Sequence, residues 1–345
     1  MIVPGDSDAG FLVRGRTLRR ITLAADVLVL LFVALYISGS VAFDLQAAIN
    51  AAPAGATVTI PAGTYTFSST VNLTSGVSLK GAGIDQTILT MPSQSGPTGL
   101  LQADGAQGIT ISDMTLSSPS ASGYVFAIWI SDYSDVTIER VKVENCHYAL
   151  KADTSGSNLT VRDFTARASG QMYISNLTIG LFERLDLEMV TQRVSDTSFH
   201  PLYISENSHH LRFYDVRAIG GSGHAVQIWG GVATDILFDG LYVKNDYAIV
   251  IGGGADGVTF RNVTAIQTGK DDFACVQLDY PKNILMENFT ASGGWALVGT
   301  YQDNSPQPEN ITFRNGTYTG RQLAVDWDQP IINLVFENVT LASGT

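Results

Sequence analysis

Val258-Thr-Phe-Arg-Asn262-Val-Thr-Ala265 is the stretch that decides how this chain folds. Apolar and polar residues alternate on both sides of one Asn. Two short strands, each buried on one face, therefore meet at a residue type that tolerates a left-handed backbone. The pattern apolar–x–apolar–x–Asn/Asp–apolar–x–apolar returns from Ile109, Leu159, Leu211, Ile284, Ile311 and Leu334, with weaker copies from Val136, Leu177 and Ile236. These ten starts are spaced by 25 residues on average. A unit this small cannot bury its apolar side alone, so successive copies must stack as a solenoid. Stacked Asn side chains can then hydrogen-bond from coil to coil.

Working outward, another strand recurs between these units. It reads Ala127-Ile-Trp-Ile-Ser131, Ala149-Leu-Lys-Ala-Asp153, Gln171-Met-Tyr-Ile-Ser175 and Pro201-Leu-Tyr-Ile-Ser205, then Ala225-Val-Gln-Ile-Trp229, Ala248-Ile-Val-Ile-Gly252 and Cys275-Val-Gln-Leu-Asp279. Three short strands per coil predict an all-β, single-stranded parallel β-helix of about ten or more coils. At about 4.8 Å per coil this is a rod of roughly 50 Å. The last repeat stops at Leu341 with no capping segment after it. An open coil offers unpaired strand edges, so either the sequence is truncated or that end meets a partner, self-association through the C-terminal coil being one form of this.

Composition narrows the function classes. With 45% apolar and 15% charged residues the chain is not disordered, and two cysteines cannot staple 345 residues. Cys146 and Cys275 fall about five coils apart and read as structural. A net charge of −12 excludes a nucleic acid partner. No calcium loop or metal-ligand spacing is present, so no cofactor or metal is assigned, and a divalent cation such as calcium has no motif behind it. Residues 1–42 differ from the rest: Arg14, Arg16, Arg19 and Arg20 precede an apolar run. They predict a cytoplasmic stub followed by either a signal peptide cut after Ala42 or a membrane anchor over residues 21–41. Residues 43–345 would then be one extracellular or cell-surface β-helix domain.

The domain opens with Phe43-Asp-Leu-Gln-Ala-Ala-Ile-Asn-Ala-Ala-Pro-Ala-Gly-Ala-Thr-Val-Thr-Ile-Pro-Ala-Gly-Thr-Tyr65. An amphipathic helix, a Pro/Gly turn and a strand would cap the end of the solenoid. This start, together with the repeats, resembles the pectin-lyase-like superfamily over about residues 43–344. The resemblance implies a right-handed coil and a polysaccharide partner. It does not select an activity, since that fold carries lyases, hydrolases, epimerases, tailspikes and adhesins.

Aligning the strands of the second kind on their inward pairs stacks their outward residues. One column reads Trp129, Lys151, Tyr173, Tyr203, Gln227, Val250, Gln277. The next reads Ser131, Asp153, Ser175, Ser205, Trp229, Gly252, Asp279. The column just before the strands reads Tyr148, Gly170, His200, His224, Tyr247, Ala274. His200 and His224 thus fall on adjacent coils, near Tyr203. Trp129, Tyr173, Gln227, Trp229, Gln277 and Asp153 suit a glycan, with aromatic faces against sugar rings and polar groups on hydroxyls. A lyase acting on a uronic-acid polymer needs a group to neutralise the carboxylate, a base for the C5 proton and an acid for the leaving oxygen. Lys151, the two histidines and Tyr203 are the candidates.

A second cluster is acidic. Thr268-Gly-Lys-Asp-Asp-Phe-Ala-Cys-Val276 resembles the active-site strand of polygalacturonase-like glycoside hydrolases. That resemblance implies Asp271 or Asp272 as general acid, with Asp246 helping to activate water for inverting hydrolysis. It is partial, because Gly223-His224 precedes the Asp pair instead of following it. Cleavage of an acidic polysaccharide by β-elimination leads. Inverting hydrolysis and non-catalytic glycan binding or filament assembly remain open beside it.

Overall fold

The structure is a computed structural model that describes residues 43–119, 123–189, 199–269, 273–300, 306–325 and 329–343. Helix α1, Leu45–Ala51, begins where expected. The Asp44 carboxylate caps it, accepting the Ala47 N–H at 3.0 Å, and Leu45 and Ile49, one turn apart, are buried. Gln46 ties the helix to the coil beneath: its amide accepts from Asn72 N–H at 2.7 Å and donates to Asn72 C=O at 3.1 Å. After the turn at Pro53 and Gly55 the chain enters the strand Thr57–Thr59 and begins to coil.

Every recorded strand pairing is parallel, each strand lying between its counterparts one coil before and one coil after. Val71, Leu101, Ile128, Leu150, Met172, Leu202, Val226, Ile249, Val276, Val298 and Ala324 are successive partners, which makes eleven coils. The repeat strands stack in the same way. In their central column Phe182, Phe213, Phe238 and Phe260 lie ring on ring, with centroids 4.4, 4.4 and 5.1 Å apart and planes within 10°. In-register stacking forces this geometry, because identical side chains on neighbouring coils are one strand spacing apart.

The Asn/Asp column turns as its residue types demand. Asp113, Asp163, Asp215, Asn262, Asn288, Asn315 and Asn338 all have φ between 52° and 60°. Two copies carry Arg instead, and these are left-handed as well. Arg140 is ion-paired to Asp113 and Arg184 to Asp163, so a salt bridge replaces the amide contact. The amide ladder appears at Asn338, whose side chain donates to Asn315 at 3.2 Å. A second left-handed column precedes the repeat strands, where Asn158 donates to Asp135 at 2.6 Å and Asn333 to Asn310 at 2.9 Å.

One register differs from expectation. The weak copy does not start at Leu177: Gly180 pairs with Leu159 and Leu211, so this repeat begins three residues later. Gly180 occupies an inward position, and a Cβ there would come within 2.6 Å of the Phe182 ring and 2.9 Å of Leu211. The large ring takes the volume that an apolar side chain fills in the other coils. Both cysteines are buried thiols outside any disulfide. Among the described residues no helix is long and apolar enough to cross a membrane. The segment 21–41 lies outside them.

Candidate functional site

In the column just before the strands Tyr148 pairs with Gln171 across a register shift and not with Gly170, while the central column forms as aligned. Trp129, Lys151, Tyr173, Tyr203, Gln227, Val250 and Gln277 are partners in turn on successive coils. Their neighbours along each strand point into the core, which leaves this column to face out. At one end, the Trp129 indole N–H donates to Asp153 at 2.9 Å. The Lys151 ammonium lies 4.6 Å from the Trp129 ring centroid and is ion-paired to Asp153. Lys151 is thus held by a ring face and a carboxylate, and its charge is already matched.

From there aromatic contacts cross the coils without a break. Phe126 meets Tyr148 at 4.6 Å, Tyr148 meets Tyr173 at 6.5 Å, and Tyr173 meets Tyr203 edge to face at 5.2 Å. Tyr203 meets His200 at 5.3 Å, His200 stacks on His224 at 5.9 Å and 14°, and Tyr247 links His224 to Phe273. Reasoning from the strand pattern placed Tyr148 and Tyr247 in a column without a role. Phe126 and Phe273 escaped it. They lie just ahead of the alternating segment, where period two carries no information, and only an aromatic recurring before each strand could have signalled them.

The two histidines are not equivalent. His200 is 3% exposed, and its Nδ1 lies 2.9 Å from the backbone N–H and 3.1 Å from the C=O of His224, which fixes the ring against the next coil. The ring lies against Gly223, where a Cβ would come within 2.3 Å of it. Burial pushes the His200 pKa down to about 3, and the neighbouring His224 adds to the shift. The imidazole is neutral at physiological pH, and its Nδ1 is engaged by the backbone of the next coil. This is good provision for a brace between coils. His224 is lowered to about 4, again by burial, with the amides of Gln277 and Gln227 opposing the shift. Burial raises the Tyr203 hydroxyl, which keeps its proton available for donation.

Toward the other end the face narrows. Trp229 lies across Gly252, where a Cβ would come within 2.5 Å of the indole, and Gln277 and Asp279 are buried. Asp246 is exposed on the rim, accepting from the Thr268 hydroxyl at 3.1 Å. The other two expected carboxylates, Asp271 and Asp272, lie outside the described residues. Among the described residues no three His, Cys, Asp or Glu side chains converge as a metal site. Burial pushes the Cys275 thiol up to about 12, which leaves it inert as a nucleophile.

The profile of the family described as rhamnogalacturonase A/epimerase, pectate lyase-like, matches residues 40–108. The A-module of the mannuronan C-5 epimerase AlgE6 from Azotobacter vinelandii superposes with a TM-score of 0.65 at 20% identity, covering 87% of this chain and 95% of that one. The fold is a pectate-lyase-like, right-handed β-helix. The AlgE4 A-module from the same organism resembles this β-helix at a TM-score of 0.52 and 18% identity, over 86% and 94% of the two chains. The tailspike protein of the E. coli bacteriophage HK620, solved with a pentasaccharide, reaches 0.57 at 12% identity over 87% of this β-helix and 62% of the tailspike chain. No curated protein sequence matches the chain.

Proposed function

We propose that this β-helix is an extracellular protein that binds a polysaccharide along the strip from Trp129 to Gln277 and cleaves a uronic-acid-containing chain there by β-elimination. The observation that carries the reading is a single lysine, Lys151, set among aromatic rings in register with Tyr173 and Tyr203 on the next two coils. A sugar ring against Trp129 or a tyrosine buries its apolar face, and Lys151 can exchange Asp153 for the carboxylate of a uronate. Neutralising that carboxylate acidifies the C5 proton. In this reading Tyr173, as its phenolate, takes the C5 proton and Tyr203, in edge-to-face contact with it, gives its own proton to the leaving oxygen as the C4–O bond breaks and the C4=C5 bond forms. His200 braces this arrangement. The resemblance to a mannuronan epimerase and to a tailspike solved with a pentasaccharide supports a glycan as the partner.

The test exposes purified residues 43–345 to polygalacturonate, alginate and neutral glucans, following absorbance near 235 nm, reducing ends and C5 configuration together. Rising absorbance with reducing ends on a polyuronate is the expected result. Reducing ends alone would replace elimination by hydrolysis through Asp246, Asp271 and Asp272. A change at C5 without cleavage would make the protein an epimerase. Binding with no chemistry would leave a glycan-binding protein.

A further inference from the structure

The run of aromatic residues along the strip does not stop at Phe273. The backbone N–H of Trp295 donates to the Phe273 C=O at 2.8 Å, so Trp295 follows Phe273 one coil on. Ala296 pairs with Gln322, which sets Arg321 beside Trp295 on the coil after that. Trp295 is 38% exposed, Arg321 is exposed as well, and the guanidinium carbon lies 4.5 Å from the indole centroid. The far end of the run thus repeats what the near end shows at Lys151, whose ammonium lies 4.6 Å from the Trp129 centroid. Among the described residues, Lys151 and Arg321 make every cation–ring contact. Both belong to one aromatic run on a chain whose net charge is −12. Seven successive pairings lead from Leu150 to Ala324. At one strand spacing each, the two cations stand about 34 Å apart along the coils.

We propose that Arg321 and Trp295 form a second uronate subsite, which holds an acidic polysaccharide at the end distant from Lys151 and selects long chains over short ones. This rests on the reading of the strip as a polyuronate-binding face and extends that face two coils beyond Gln277. A guanidinium meets a carboxylate through two parallel N–H···O contacts, whereas a neutral sugar gives it no charge to match. The indole restrains the long Arg321 side chain before a ligand arrives, so less freedom is lost on binding. Arg321 also makes a contact within the chain, which a uronate carboxylate can replace as it replaces Asp153 at Lys151. A 1,4-linked pyranose chain advances about 5 Å per residue, close to one coil spacing, so roughly seven or eight sugars bridge the two cations. A shorter chain reaches only one of them. Once one end is held, the other binds from a high effective concentration, and affinity climbs at the bridging length.

The experiment measures, by calorimetry on the full chain, the affinity for galacturonate and mannuronate oligosaccharides of about three and about ten residues. The wild type is compared with Arg321→Gln and Trp295→Leu. The wild type should bind the longer oligosaccharide about 100-fold more tightly than the shorter one. Arg321→Gln should reduce that ratio about tenfold, the loss expected for one charge-assisted contact. Trp295→Leu should reduce it about threefold, because the charge remains and only its restraint is lost. A neutral glucan of the longer size should bind Arg321→Gln no worse than the wild type. An unchanged ratio in either variant would overturn the proposal and leave the Lys151 site standing. An equal loss on the neutral glucan would overturn it too, since Arg321 would then not be reading a carboxylate. If the wild type binds neither polyuronate at either length, the reading of the strip falls and takes the inference with it.

Discussion

His200 shows how burial changes what a residue type can do. On sequence alone a pair of histidines beside a tyrosine suggests acid–base chemistry. In the folded chain the Nδ1 of one of them is held by the backbone of His224, and its ring is clamped over Gly223. The consequence for stability has a definite sign. An unfolded histidine titrates near 6.5, whereas His200 and His224 hold to about 3 and about 4. As pH falls through 6.5 the unfolded chain takes up protons that the folded chain refuses, so stability drops. By pH 5 the loss should be roughly 2 kcal/mol per histidine. Carboxylates such as Glu139 and Asp186, whose pKa values are lowered by arginine partners, are still ionised there and do not contribute. Urea unfolding at pH 7 and pH 5 checks this, and a His200→Gln variant should lose about half of the difference. Tyr203 belongs to the same scale. Tyr203→Phe should keep glycan affinity within about threefold and reduce turnover by about 100-fold, if the hydroxyl is the proton donor. Equal turnover would remove Tyr203 from the chemistry. The residue types of the site were legible in the sequence. The brace was not, because it depends on which backbone groups the ring meets.

At the scale of the element, the coil works as a ladder in which one position is repeated at one strand spacing. Phe238 lies between Phe213 and Phe260 in near-parallel stacks and is fully buried. Phe238→Ala should cost about 3–5 kcal/mol, the usual range for a buried aromatic, measured by denaturant unfolding. The left-handed columns suggest the opposite kind of change. Ile179 has φ 66° and is 52% exposed, in a column where Asn158 is its predecessor. A β-branched residue is strained there, so Ile179→Asn should stabilise by about 1 kcal/mol. Unchanged stability would mean that the turn relaxes without it. Strand positions, inward pairs and turn residues were readable because period two and the Asn/Asp preference are local properties. The repeat at Leu177 was misplaced because Gly180 has no side chain to mark the inward position, while Leu177 and Ile179 imitate the alternation. Only the pairing with Leu159 and Leu211 exposes the shift.

For the whole molecule, a net charge of −12 acts at long range, whereas Lys151 acts at one point. Approach of a polyuronate should therefore be slowed by long-range repulsion at low salt, and its association rate should rise between about 10 and 150 mM ionic strength as that repulsion is screened. A neutral glucan should show no such dependence in the same stopped-flow measurement, and a polyuronate rate that falls with salt would point to a basic patch instead. The sequence by itself determined the solenoid, the number of coils to within one, the capping helix and the alignment of the outward columns, because each follows from a short pattern repeated at a nearly fixed interval. Only the tertiary structure decided that Lys151 is already paired, that His200 is a brace and that an aromatic ridge crosses the coils. Those properties arise between residues some 25 positions apart, brought to a strand spacing of one another by the coil, and no local pattern encodes the contact they then make.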